Sequence, residues 1–182
     1  MRTHLHTRSA LLCTFVALAS VTCATRPASP DEPMGQGPRL LVCTATDAPV
    51  GSVRKVVGPD SPKVELDIVG PRGTHRLTIP RGAVTRETTF TLTARASQNV
   101  EVEARAEGHD TFAFANGRTA TLRLDAENCA GAFDRLERKQ IFRREGTRLV
   151  PMGGSGIGIG PLRKAALKTE LPTLSGYALG GS

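Results

Sequence analysis

Two histidines, His75 and His109, are the side chains beyond the N-terminal segment that are best suited to acid–base chemistry. His75 opens the alternating stretch HRLTI, in which it shares a face with Leu77 and Ile79. Catalysis would require a nucleophile and an orienting acid close to the imidazole, and spacing along the chain indicates neither. We therefore expect His75 to be a partly buried structural histidine at the edge of a β-sandwich.

His109 and a glycine-rich stretch are two further places where a ligand could bind. His109 adjoins Asp110 in the loop sequence EGHDT, a pairing common on protein surfaces. Residues 153–161 read GGSGIGIGP, whereas a dinucleotide-binding loop has the spacing GxGxxG and opens a helix. Because Pro161 follows the glycines at once, we predict a loop between strands and no cofactor.

Four cysteines indicate the compartment of the protein. Cys13 and Cys23 lie in the N-terminal segment, which leaves Cys43 and Cys129 in the body of the chain. An even pair in an oxidising space favours a disulfide, with two separately buried thiols as the alternative. A metal site is disfavoured, because the chain contains no CxxC or His-x-Glu-x-x-His pattern.

The N-terminus has the layout of a secretory signal peptide. Arg2 and Arg8 precede an apolar run over residues 10–19, which is too short to span a membrane, and small residues follow. Residues 1–24 are therefore predicted to be a signal peptide. Alternatively, SVTC resembles the bacterial lipoprotein box, in which Cys23 would be lipidated and become the first residue. An exported protein is expected in either case, membrane-anchored or periplasmic or extracellular; a retained anchor is the third alternative.

A linker and a single domain are predicted to follow the signal. Residues 25–39 are rich in proline and glycine without apolar periodicity, which is typical of a linker. Residues 40–182 would form the folded body. Removal of Arg2 and Arg8 lowers the formal net charge from +7 to +5, with 22 basic residues against 17 acidic ones.

A basic cluster is the feature that most suggests a partner. It lies within the sequence DRLERKQIFRREGTRL and contains Arg135, Arg138, Lys139, Arg143, Arg144 and Arg148. On a hairpin these side chains could form one positive patch for anionic lipid head groups, acidic glycans or an acidic protein. The alternative is a solvated hairpin face. Nucleic acid is disfavoured, because aromatic residues make up only 4% of the chain and the protein is expected to be exported.

The body of the chain shows the alternation of antiparallel strands. Apolar residues recur with period two in short stretches that turn residues separate; they include KVELDIV, HRLTI, TTFTLTA, VEVEA and TATLRLDA. This pattern predicts an all-β fold, an antiparallel β-sandwich of short strands with little or no helix outside the signal segment. Asn116-Gly117 predicts a hairpin, Gly146 a second turn, and residues 161–171 are more typical of a strand than of a helix.

Several motifs together resemble the ZU-five domain family, found in ankyrins, zonula occludens proteins and UNC-type netrin receptors, and its compact versions in exported bacterial proteins. The similarity lies in VVGPDSPKVELDI, HRLTIPRGAVTRETTFTLTA, FANGRTATLRLDAENC and LSGYALG, and it extends over about residues 40–179. The matching positions are Leu77, Ile79, Pro80, Gly82, Ala83, Thr89, Leu92, Ala120, Leu122, Ser175 and Tyr177.

The resemblance implies a β-sandwich that serves protein interaction and has no cofactor. Some animal members cut themselves at a His-Phe-Ser sequence in the last strand, where serine is the nucleophile and histidine its base. This chain has Thr173-Leu174-Ser175 there, so the nucleophile is retained and the base is missing. The chain also departs from the family at Asp60-Ser61, where two glycines are usual, and at residues 116–118, where an Arg-Pro is common.

We therefore expect a non-enzymatic binding or structural module at the bacterial cell envelope, anchored through lipid on Cys23. Its partner would be an envelope protein or an anionic polymer. The alternatives are a self-cleaving module that uses Ser175, and a binder of anionic envelope polymers through the basic hairpin of residues 135–148.

Overall fold

The computed structural model describes residues 37–43, 51–157 and 164–181. All of them belong to one compact unit, Pro33–Ser182. The predicted signal peptide, the lipidation position Cys23 and the linker up to residue 36 lie outside the described residues.

Twelve strands make up most of the described chain. In order they are β1 (Arg39–Leu40), β2 (Ser52–Val57), β3 (Val64–Gly70), β4 (Gly73–Ile79), β5 (Thr88–Ala94), β6 (Glu101–Ala106), β7 (Ala120–Asp125), β8 (Gln140–Glu145), β9 (Arg148–Pro151), β10 (Ser155–Ile157), β11 (Lys164–Leu171) and β12 (Gly176–Gly181). The helical segments described are two 3₁₀ turns, Ala115–Gly117 and Glu127–Cys129, and one short helix, α1 (Ala130–Asp134).

The strands form two antiparallel sheets, which confirms the all-β sandwich prediction. The larger sheet has the order β2-β5-β6-β12-β8-β9, and β1 pairs with the end of β12. The smaller sheet has the order β10-β11-β7-β4-β3. The strand β11 confirms the extended prediction for this segment, and the turn at Gly146 joins β8 to β9 as expected.

The core is made largely of alternate residues of the longer strands that turn toward the opposite sheet. The apolar face that the sequence predicts for each strand is buried here, although Val64 is only partly so. Three phenylalanines form its aromatic part: the ring of Phe112 lies 5.2 Å from that of Phe90 and 5.3 Å from that of Phe114, edge to face in both pairs. This cluster offsets the scarcity of other aromatic residues.

The hairpin predicted at Asn116-Gly117 is wrong. Both residues have positive φ, +57° and +63°, as a tight hairpin turn requires. However, the preceding strand β6 belongs to the larger sheet and the following strand β7 to the smaller one. The turn therefore lies in a crossover between the sheets, because local conformation does not determine which strands pair.

Two further predictions are corrected by the sheet order. His75 was expected at the sandwich edge, but β4 lies between β3 and β7, so His75 is fully buried. Within the predicted loop of residues 153–161, Ser155–Ile157 form the edge strand β10, while residues 158–163 are outside the described part.

The last strand, β12, is the most heavily shared element of the larger sheet. It pairs with β6 on one side, with β8 on the other, and with β1 through its final residues. Gly180 and Gly181 allow this crowding. A Cβ atom on Gly180 would overlap the carbonyl oxygen of Arg39, and one on Gly181 would lie 3.0 Å from the carbonyl oxygen of Arg138.

Gly180→Ala is expected to lower the free energy of unfolding by about 1–3 kcal/mol, because the added methyl group must displace β1 or the ring of Phe142. Gly176→Ala is the matched control in the same strand, since its Cβ would make ordinary contact at 3.7 Å. Urea denaturation measures both variants. Equal midpoints for the two would contradict the close packing of β1 on Gly180.

Candidate functional site

The pair Cys43 and Cys129 forms a disulfide, as the even cysteine count favoured. Their Cα atoms are 5.7 Å apart, and 86 positions separate them in the chain. Cys43 follows β1 and is buried, and its amide donates a hydrogen bond to the carbonyl of Gln98. Cys129 immediately precedes α1. The bond therefore ties the segment that follows the linker to the segment that carries the first half of the basic cluster.

The second half of the basic cluster is divided between two faces of β8. Arg143 pairs with Glu145 and donates to the hydroxyl of Thr173 at 3.2 Å. Arg144 points to the other face, where its Nη1 lies 2.9 Å from the buried carboxylate of Glu101. Adjacent strand residues point in opposite directions, so these two arginines cannot contribute to one patch.

The remaining cluster residues differ in how far their charges are satisfied. The ammonium of Lys139 donates to the carbonyl of Leu136 at 2.6 Å and lies 5.3 Å from the ring centre of Phe133. Arg135, Arg138 and Arg148 are exposed, and no ion pair joins them to any residue that the structure describes. The six predicted cations therefore do not form a single surface.

Ser175, the candidate nucleophile, has a structural hydrogen bond. Its hydroxyl donates to the carbonyl of Arg144 at 3.2 Å, and its own carbonyl accepts from the amide of Ala104. Thr173 is similarly held, since its carbonyl accepts the phenolic proton of Tyr177 at 2.5 Å. Within the described ranges, no imidazole or carboxylate is hydrogen-bonded to the Ser175 hydroxyl.

Tyr177 is buried at the centre of β12, and burial raises the pKa of its phenol to about 12. Its hydroxyl remains protonated at every physiological pH and so keeps the hydrogen bond to Thr173. This bond ties the chain that precedes β12 to the centre of the strand.

His75 is buried and uncharged. Its Nδ1 accepts a hydrogen bond at 3.2 Å from the backbone amide of Asp125, and burial lowers the pKa of the imidazole to about 4. The carboxylate of Asp125 faces Arg123 at 2.6 Å and accepts the amide of Glu127 at 2.9 Å. With only 1% of its surface exposed, His75 cannot reach a substrate. Its role is to accept the hydrogen bond of the last backbone amide of β7.

His109 is the half-buried histidine and lies where three open cavities of about 550, 220 and 390 Å³ meet. Its Nε2 is 3.2 Å from Arg86, and its ring packs edge to face on Phe112. Four charged residues that line the largest of the three are in ion pairs, since Arg54 binds Glu107, and Glu103 binds Arg105 as well as Arg95. Asp110 lines the same cavity outside these pairs. Charges of both signs therefore surround His109, and most of them are paired.

The described part of the chain contains neither a cluster of metal ligands nor a membrane-spanning helix. No group of three or more potential ligands is placed to hold a metal ion. No helix there is long and apolar enough to cross a membrane.

The stability of the protein is expected to fall by about 3 kcal/mol as the pH drops from about 6.5 to about 4, through His75 alone. In this range the unfolded chain binds a proton at its normal histidine pKa of about 6.5, whereas the folded state stays neutral until about pH 4. Asp125 opposes this lowering of the pKa, and Arg123 adds to it.

Urea denaturation at a series of pH values tests this expectation. His75→Gln should have a smaller loss of unfolding free energy between pH 7 and pH 4.5 than the wild type. His109→Gln is the control and should keep the wild-type dependence. If the His75→Gln variant loses as much unfolding free energy over this pH range as the wild type, the buried histidine is not the source of the pH dependence.

Loss of the disulfide is expected to destabilise the fold by about 4–5 kcal/mol, because the bond closes a long loop in the unfolded chain. Urea midpoints with and without a phosphine reductant measure this effect. The double variant Cys43→Ser with Cys129→Ser should unfold at the reduced midpoint and be insensitive to reductant. Coincident midpoints for the oxidised and reduced wild type would contradict the expectation.

Comparison of the chain with protein-family models, with curated proteins and with solved structures finds no match in any of the three. The resemblance to the ZU-five domain therefore rests on the motifs of the sequence.

Proposed function

We propose that this protein is an exported, non-enzymatic binding or structural module of the bacterial cell envelope, held at the membrane by lipid on Cys23. The observation that carries the proposal is the Cys43–Cys129 disulfide. Disulfides persist in oxidising compartments and are rare in reducing ones. The basic and apolar N-terminal segment that ends in SVTC agrees with this compartment.

The proposal of binding rather than catalysis is supported by how the reactive side chains are occupied. Ser175 donates to a backbone carbonyl, and His75 is buried and neutral. Most of the charged side chains that line the largest cavity beside His109 are in ion pairs. An interaction module needs an exposed, chemically varied surface on a rigid frame, and the two-sheet sandwich with polar outer faces meets that need.

Two classes of partner follow, one from the family resemblance and one from the net charge of the chain. ZU-five domains serve protein interaction, so an envelope protein is one partner class for this chain. The formal excess of basic over acidic residues makes an anionic polymer the other class. Self-cleavage at Ser175 is the weaker alternative, because the hydroxyl is engaged and Thr173 stands where a base would be needed.

Intact-mass measurement tests the proposal on protein purified from the membranes of bacteria that express the full chain. We expect a chain that begins at Cys23 with an added diacylglyceryl group and lacks two hydrogens because of the disulfide. Cys23→Ser is the matched control and should lose the acyl mass and leave the membrane fraction. Full-length reduced protein in the cytosol would overturn the proposal, and a fragment ending at Leu174 would support self-cleavage instead.

A further inference from the structure

The strand β1 and the start of the basic cluster are brought together on Gly181. Arg39 in β1 pairs with Gly181, and the backbone of Arg138 packs against the same glycine. The side chain of Leu136 approaches it as well. Residues almost 100 positions apart in the sequence therefore adjoin at one end of the sandwich.

The disulfide holds the same two segments a second time. Cys43 lies four residues after Arg39, and Cys129 lies six residues before Arg135. The covalent bond and the contact on Gly181 together make the relative position of β1 and the α1–β8 segment a rigid property of the oxidised fold.

Three exposed arginines occupy this end: Arg39, Arg135 and Arg138, here called the arginine end. In the described ranges no carboxylate is paired with any of them. The two acidic residues of the same segment, Asp134 and Glu137, instead line a cavity of about 260 Å³ together with Lys139 and Lys164. Around this end two carboxylates thus stand against three arginines and two lysines, so the local charge is positive in excess.

Resting on the proposed lipid anchor, we infer that the arginine end binds the phosphate head groups of anionic lipids in the membrane that carries the anchor. The chain enters the described fold at Gly37, two residues before Arg39. Residues 24–36 separate this point from Cys23, a length that reaches at most about 45 Å when fully extended. An anchor on Cys23 would therefore tether the arginine end within about 45 Å of the membrane surface, within reach of its head groups.

The chemistry favours lipid phosphate at this surface. A guanidinium group presents a planar fork of donors that matches phosphate oxygens, and it is more weakly hydrated than an ammonium group. Juxtamembrane basic residues are attracted to anionic leaflets. The arginine end would thus bind beside the lipid anchor and orient the sandwich on the membrane.

The experiment uses the mature chain from residue 23 with Cys23→Ser, so that acylation plays no part; it contains every described strand and the disulfide. Its partition into sedimented vesicles is measured with phosphatidylcholine alone and with phosphatidylcholine and phosphatidylglycerol at 3:1. We expect binding to the anionic vesicles only. The triple variant Arg39→Gln, Arg135→Gln and Arg138→Gln should weaken binding at least tenfold.

A matched control removes the same charge from the opposite end of β12. Arg81, Arg86 and Arg118 are exposed, and their loops lie near the start of β12, where Ala113 pairs with Thr173. Changing these three to Gln should weaken vesicle binding less than threefold. If the triple variant of the arginine end unfolds, the pair Arg135→Gln and Arg138→Gln replaces it, because both side chains are exposed and outside the strands.

Equal losses in the two triple variants, or equal binding to both kinds of vesicle, would overturn the inference. Retention on an anionic polysaccharide without vesicle binding would also overturn it. The outcome is independent of the mass measurement on Cys23. Acylated protein whose arginine end does not bind vesicles would leave the proposed function standing and remove only this inference.

Discussion

The placement of the last strand, β12, is the constraint on which the larger sheet depends. Its six residues pair with three other strands and bury Tyr177 and Leu179 between the sheets. Because β12 lies between β6 and β8, the two halves of the larger sheet are joined only when this C-terminal strand is in place. Such long-range pairing must be formed against the entropy of closing large loops, which makes the fold dependent on its final residues.

Close backbone packing at Gly180 and Gly181 and the disulfide act on the same region of the molecule. The glycines let β1 and the α1–β8 segment approach β12, and the Cys43–Cys129 bond prevents their separation. One consequence is that β1, the first described strand, is held at a fixed position on the sandwich. The other is electrostatic, since Arg39 joins Arg135 and Arg138 at that point.

Side chains that look reactive in the sequence are parts of the architecture. His75 accepts the amide of Asp125, Ser175 holds the carbonyl of Arg144, and Arg144 itself neutralises the buried Glu101. A buried polar group needs a partner of this kind, because leaving it unsatisfied costs about 1–3 kcal/mol. The residues with exposed and unmatched charge are accordingly the better candidates for binding a partner.

The sequence by itself determined the strand content and the apolar face of most strands, because alternation is a local property. It favoured a bond between Cys43 and Cys129, which the structure forms. It misjudged the turn at Asn116-Gly117 and the position of His75, since sheet membership depends on pairing between distant segments. It also grouped Arg143 with Arg144, which the pleat of β8 separates, and could not include Arg39. Only the tertiary structure decided these, because antiparallel pairing and the contact on Gly181 join residues that are far apart in the chain.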